Sequence, residues 1–244
     1  MRDNLRRMGR PHRAAEGGYV YHLLNRANAR MTIFEDDGDY AAFETVLTQA
    51  IERSGMRLLA YCLMPNHWHL VVWPQMDRQL SQFVGWLTLT HAQRWHAYHE
   101  STGSGHLYQG RFKSFPIQED DHFLTVARYV ERNALRANLA LRAEDWRWGS
   151  LHRWLRGTAE EKGLLSGWPL PRTPGWVQHV NAPQTEAELL ALRRCVRRGR
   201  PFGDDSWSER AVSKLGLEST LRSPGRPHKQ KTVPDTVVLP GAVG

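Results

Sequence analysis

The sequence predicts an α+β fold: a ferredoxin-like β-α-β-β-α-β core with an antiparallel sheet, then a further helix and a basic C-terminal extension. Three observations predict it. Short apolar runs rich in β-branched and aromatic residues alternate with segments whose apolar residues recur every three to four positions. Two of the runs are separated only by Pro65-Asn66, the mark of a hairpin. A length of 244 residues with 41% apolar content supplies one good core plus appendages, not two large domains.

Tyr19 to Arg26 (YVYHLLNR) reads as the first strand. The acidic run ending at Asp39 offers an N-cap to a helix whose Tyr40, Phe43, Val46, Leu47, Ala50 and Ile51 fall at helical spacing before Gly55 stops it. Met56 to Met64 is a second strand and His67 to Trp73 a third, ended by Pro74. Leu80, Phe83, Val84, Leu87 and Trp95 mark a long second helix. After the break at Gly103 to Gly105, Leu107 to Ile117 reads as a further strand or ribbon. A third helix is expected from about Asp120 to Ala137, and Trp146, Trp148, Leu151, Trp154 and Leu155 mark a short packing segment. The expected organisation is a basic arm over 1–18, a main domain over 19–156, a Pro-, Gly- and Trp-rich linker over 157–185, a basic helical extension over 186–231 and a disordered tail over 232–244.

The net charge of +8 points to a polyanionic partner, and its position is more telling than its size. Residues 1–13 hold five Arg against Asp3, residues 14–192 hold 17 basic and 19 acidic, and residues 193–231 hold eleven basic and four acidic. Arg dominates both ends, and its planar fork matches phosphate geometry better than Lys does. The two cysteines, Cys62 and Cys195, form no C-x-x-C pair, so neither a disulfide framework nor a cysteine zinc site is indicated. Nothing approaches the roughly 18 consecutive apolar residues of a membrane span, and the Arg-rich start has no apolar segment behind it. A cytoplasmic, nucleoid-associated bacterial protein is expected.

Within Met64-Pro65-Asn66-His67-Trp68-His69-Leu70-Val71-Val72, strand alternation puts His67 and His69 on one face and turns Trp68, Leu70 and Val72 toward a core. Two neutral imidazoles side by side can hold one divalent ion. The alternative is a half-buried strand with two incidental histidines. On the third helix, a 100° projection puts Phe123, Ala127, Val130 and Ala134 on one side. His122, Thr125, Tyr129, Arg132, Asn133 and Arg136 share the other. A tyrosine on that polar face can serve as a nucleophile, and Asn133, one turn on, can offer its side-chain oxygen to the same ion. By itself this helix also reads as ordinary amphipathic structure.

The segment from Tyr21 to Asn138 contains Y-H-L-L-N-R-A, M-P-N-H-W-H-L-V-V, Y-Q-G-R-F-K-S-F at 108–115 and R-Y-V-E-R-N-A-L-R-A-N at 128–138. With these motifs in this order, over about half the chain, it resembles the REP-associated tyrosine transposases of the single-tyrosine HUH superfamily. The resemblance implies a ferredoxin-like nuclease fold, His67 and His69 as metal ligands with Asn133 as the third, Mg²⁺ or Mn²⁺ as cofactor, and Tyr129 as the nucleophile. The implied partner is single-stranded and hairpin DNA, a palindromic repeat with a short guide sequence, cut and rejoined through a 5′-phosphotyrosine link. The family often has Pro where this chain has Ala134, which removes a proline kink from the expectation.

Further DNA contacts are assigned to Arg111 and Lys113 on the ribbon, Arg132 and Arg136 beside Tyr129, Arg26 and Arg30 near the first strand, and Arg198, Arg200 and Arg226 in the extension. Arg111 and Lys113 equally fit a strand that leaves its cations in solvent. Arg198-Gly-Arg-Pro201 and Gly225-Arg-Pro227 resemble minor-groove hooks, and Ser206 to Gly216 resembles half of a helix-turn-helix; a plain basic tail is the alternative. Two other functions remain open: another HUH nuclease of the rolling-circle initiator or relaxase type, and a non-catalytic repeat-DNA-binding regulator. Monomer and dimer are both compatible with the sequence.

Overall fold

Four strands form one sheet: β1 (Val20–Arg26), β2 (Arg57–Met64), β3 (His67–Trp73) and β4 (Lys113–Ile117). The structure, a computed structural model, describes residues 14–222; the expected arm up to residue 13, Arg226 and the 232–244 tail lie outside the described residues. The strand order is β2-β3-β1-β4 and every pair is antiparallel. With α1 (Asp37–Ser54) between β1 and β2 and α2 (Gln79–Tyr98) between β3 and β4, the order is the β-α-β-β-α-β of the sequence pattern.

Strand alternation gives the sheet two apolar faces. Tyr21, Leu23, Trp68, Leu70 and Val72 pack against Phe43, Leu47, Phe83 and Leu87 of α1 and α2. The Asp36 carboxylate accepts from the Asp39 N–H to start α1, which ends at Gly55. On the opposite face lies α3 (Asp121–Glu131), whose Phe123, Val126 and Val130 are fully buried with Val71, Phe115 and Ile117. Each such side chain contributes about 1.5–3 kcal/mol, enough to fix the rotation of α3 on the sheet.

The strand read from 107 to 117 is shorter than expected. Tyr108 makes only an isolated bridge to Ala27, and Gly110, at φ 138°, breaks the ladder before Lys113. The third helix divides at Arg132 (φ −83°, ψ −4°) into α3 and the single turn α4 (Asn133–Arg136), so the interruption occurs without a proline.

Beyond α4 come α5 (Ser150–Arg156), α6 (Ala159–Lys162), α7 (Trp176–Asn181), α8 (Glu186–Arg198) and α9 (Asp205–Leu215). Residues 157–185, read from the sequence as a linker, place Trp168 against Phe123 and bury Trp176, whose Nε1–H donates to Glu131 at 2.7 Å. Helix α8 buries Leu192 and Cys195 in the α3 core. The chain then turns at Gly199 (φ 73°), where a Cβ would meet the Ser114 carbonyl at 3.2 Å. Phe202 next pairs in parallel with Ile117, exchanging backbone hydrogen bonds with Pro116 and Gln118 and covering the β4 edge. Helix α9 returns on the other face, where Ala211, Val212 and Leu215 join the α1/α2 core. With α8 and α9 on opposite faces of the sheet, α9 does not form half of a helix-turn-helix with its neighbour. No helix among the described residues is long and apolar enough to cross a membrane.

Candidate active site

The two histidines of β3 reach the site because of register. His69 pairs with Leu24 of β1 and Cys62 of β2, and His67 pairs with Arg26 and Met64. All of these face α3, while Trp68 and Leu70 point into the other core. Helix α3 lays Tyr129 over this face, its ring centroid 5.8 Å from that of His69. Asn133 and Arg136, one and two turns on, complete the wall.

These groups line a cavity of about 660 Å³. Arg26, Arg111, Lys113, Arg136 and Arg193 border it and, among the described residues, no carboxylate does. Three buried donors on its lining, Arg26 Nε, Asn133 Nδ2 and Arg136 Nη1, have no partner among the described residues. Unpaired buried donors are costly, so donors converging on one cationic space mark a site for an anionic oxygen ligand. The Arg136 guanidinium lies 4.3 Å over the Tyr129 ring and donates to Asn133 Oδ1 at 2.6 Å. It therefore ties the phenol to the amide and leaves one Oδ1 lone pair free.

Burial, with the charges of Arg26 and Arg136, pushes His67 down to about 3. The same causes, plus His22 and His67 beside it, hold His69 well below the usual imidazole range. Both rings are neutral at physiological pH, the form in which imidazole binds metal. His67 Nδ1 lies 2.6 Å from Asn66 Oδ1, and His69 Nδ1 lies 2.8 Å from Nε2 of His22, a buried β1 residue. Among the described residues no group of three His, Cys, Asp or Glu side chains could hold a metal. A cation at His67 and His69 would thus take its third protein donor from an uncharged group; of the lining amides Asn25, Gln109 and Asn133, it is Asn133 that follows Tyr129 by one helical turn. Two borderline imidazoles and one hard amide oxygen admit a divalent ion that completes its shell with water, without selecting which ion. Arg26 and Arg136 disfavour a lone cation there, and an accompanying phosphate would offset that repulsion.

The structure brings together Tyr129, His67, His69, Asn133, Arg136, Arg26, Arg111 and Lys113. It takes Arg132 elsewhere: Nη1 donates to Val180 O at 2.9 Å and to Asn181 O, at the C-terminal end of α7. Arg128 similarly holds the Ala182 and Pro183 carbonyls. The C-terminal part of the α3 face projected as polar is therefore covered by protein; Tyr129 and Asn133 are buried, and Arg132, expected to meet DNA, caps a helix instead. Arg30 is outside the cavity, and its carbonyl accepts from Asn66 Nδ2 at 3.3 Å. Arg198 donates to the Thr220 and Arg222 carbonyls rather than projecting as a hook. Arg200 also stands away from the cavity, between the Gly199 turn and buried Pro201.

Sequence reasoning missed His22 and Arg193. Alternation puts His22 and Arg26 on one face of β1, but nothing in the chain says that β1 lies beside β3. Arg193 enters from α8 with Val196, and no local signal separates it from Arg194 or Arg197.

The model of the IS200-like transposase family matches residues 17–133. The fold aligns with the structure of a REP-associated tyrosine transposase bound to a REP hairpin at TM-score 0.52 and 14% identity, covering 73% of this chain and 93% of that one. A putative transposase from Deinococcus radiodurans aligns at TM-score 0.37 and 21% identity, over 46% of this chain and 88% of that one. No curated protein sequence matches the chain.

Proposed function

We propose that this chain, whose residues 17–133 match the IS200-like transposase model, is a tyrosine transposase that nicks and rejoins single-stranded, hairpin-forming repeat DNA through a 5′-phosphotyrosine intermediate. The observation that carries the reading is the cavity itself: a tyrosine beside two neutral imidazoles, under a guanidinium, in a space that the described residues border with five cations and no carboxylate. A phosphodiester is the ligand that satisfies its unpaired donors.

In this reading Arg26, Arg111, Lys113 and Arg193 hold the strand by its phosphates on either side of the cut. The cut must be unpaired, because a duplex does not bring that phosphate into a buried cavity or splay its flanking bases. Tyr129 Oη bonds to phosphorus as the P–O3′ bond breaks, and the phenolic proton passes, directly or through water, to the departing O3′. Arg136 holds the ring in place and stabilises negative charge on its oxygen. The phosphotyrosine conserves the energy of the broken bond, so a second 3′ hydroxyl can reverse the step without a nucleotide cofactor. Mg²⁺ or Mn²⁺ bound by His67, His69 and Asn133 would supply Lewis-acid polarisation of a non-bridging phosphate oxygen.

The hairpin specificity rests on the motif resemblance, and the exposed Arg194 and Arg197 of α8 extend the cationic surface toward a hairpin stem. The family reading and the cavity favour turnover over a purely binding role. The test combines anisotropy on single-stranded hairpin oligonucleotides with denaturing gels in Mn²⁺ or EDTA. A metal-dependent protein-linked product is expected. Tight binding without a covalent product, across several repeats and both metals, would make the chain a repeat-binding regulator.

A further inference from the structure

We propose that His22 and Asn66 are positioning residues that fix the proton on Nδ1 of His69 and of His67, so that both rings turn an unprotonated Nε2 toward the cavity. The inference rests on the metal-site reading above, and its evidence is a set of hydrogen bonds outside the ligands themselves.

A neutral imidazole has one N–H and one lone pair, and only the nitrogen with the lone pair can bind metal. For His67 the choice is made by Asn66. The Asn66 amide has its Nδ2 turned to the Arg30 carbonyl at 3.3 Å, which leaves Oδ1 facing His67 Nδ1 at 2.6 Å. An amide oxygen only accepts, so the His67 proton sits on Nδ1. Arg30 itself is held at φ 61°, in the left-handed region, and in that conformation it presents its carbonyl to Asn66.

For His69 the partner is a second imidazole, His22, at 2.8 Å in a pair that is fully buried. One of the two rings must donate. If His22 donated, His69 would carry its proton on Nε2 and aim an N–H at a cavity bordered by Arg26 and Arg136, which offer donors and no acceptor. The positive potential of those guanidiniums favours a lone pair there, so His69 donates from Nδ1 to His22 Nε2 and His22 carries its proton on Nδ1. Phe115 of β4 packs against the His22 ring in a tilted arrangement, at a centroid distance of 4.8 Å, and holds it in place. The pairing is built by the sheet: His22, Leu24 and Arg26 of β1 run beside Val71, His69 and His67 of β3.

The direct test is a long-range ¹H–¹⁵N correlation spectrum of the histidine rings in the metal-free full-length protein. Both His67 and His69 are expected as the Nδ1–H tautomer, with His22 also protonated on Nδ1. A His69 ring protonated on Nε2 would overturn the proposal whether or not the protein binds metal. In a Tyr129→Phe background with a mixed-sequence single-stranded oligonucleotide, His22→Phe should weaken Mn²⁺ binding about 10- to 100-fold by water-proton relaxation, the usual scale for loss of a ligand's hydrogen-bond partner. His22→Gln, whose side-chain oxygen can accept from His69, should restore most of it. Asn66→Ala gives an independent arm in the half-buried β2–β3 turn. Equal Mn²⁺ affinity in His22→Phe, His22→Gln and Asn66→Ala would refute the positioning role. Absence of Mn²⁺ binding in the protein with both residues intact would refute the metal site and leave the spectrum to decide the tautomers.

Discussion

Replacing Arg132 by Ala separates two accounts of the same guanidinium. Read from helical periodicity, Arg132 shares a face with Tyr129 and should contact DNA; in the structure it donates to the Val180 and Asn181 carbonyls. Hydrogen bonds from a charged donor contribute about 1.5–3 kcal/mol each, and this side chain is only partly buried, so the pair is worth about 2–4 kcal/mol. For a chain of this size, about 2–4 °C per kcal/mol converts that into a fall in Tm of about 5–15 °C. The salt dependence of single-stranded DNA binding should not move, whereas loss of a phosphate contact would reduce the slope of log K against log salt by about 0.7. Thermal melts and an anisotropy titration over a salt series read both quantities. A slope reduced by a full contact with Tm unchanged would refute the reasoning and return Arg132 to the DNA.

Three further outcomes follow from the same contacts. Arg136→Ala removes the cation over Tyr129 and the 2.6 Å bond to Asn133; at about 2–4 kcal/mol, single-turnover formation of the DNA adduct should slow about 30- to 1000-fold with the fold intact, and an unchanged rate would contradict the role of the guanidinium. Burial raises the Glu131 carboxyl above its ordinary 4.5, although Ser150 and Trp176 donate to it. The folded state therefore holds that proton more tightly than the unfolded chain, and stability from this group is fullest at low pH and falls as pH rises through the raised value. Glu131→Gln should accordingly gain stability relative to the parent as pH is raised from about 4.5 upward, and a difference in Tm that stays flat with pH would contradict it. Deleting residues 199–244 strips Phe202 from the β4 edge and Ala211, Val212 and Leu215 from the core. At about 1.5–3 kcal/mol for each Val or Leu this takes a large share of a normal folding margin, so the truncation should melt early rather than merely bind DNA less tightly. A Tm equal to that of the full chain would be the contrary result.

The parts of the site that were legible in the sequence are those governed by local periodicity. A period of two put His67 and His69 on one face and Trp68 and Leu70 on the other, and a period of 3.6 put Asn133 and Arg136 with Tyr129. The same projection misjudged Arg132, because helix rotation says which residues share a side but not what covers that side. Here α7 ends against it, and main-chain carbonyls take the guanidinium. His22 was invisible for a related reason: its value comes from the β1–β3 pairing, a contact across 47 residues of sequence that no local pattern encodes. The C-terminal stretch shows a third limit. Its basic composition reads as a free DNA-binding extension, yet Leu192 and Cys195 of α8 and Val212 and Leu215 of α9 lie in the two cores. Charge density describes the exposed side of such helices and says little about the few apolar residues that dock them.

The most direct measurement is the intact mass and peptide map of the protein after incubation with Mn²⁺ and a single-stranded hairpin repeat, alongside Tyr129→Phe. The account predicts a nucleotide adduct on the peptide containing Tyr129, dependent on metal and absent from Tyr129→Phe. An adduct on another residue, or one that persists in Tyr129→Phe, would contradict it.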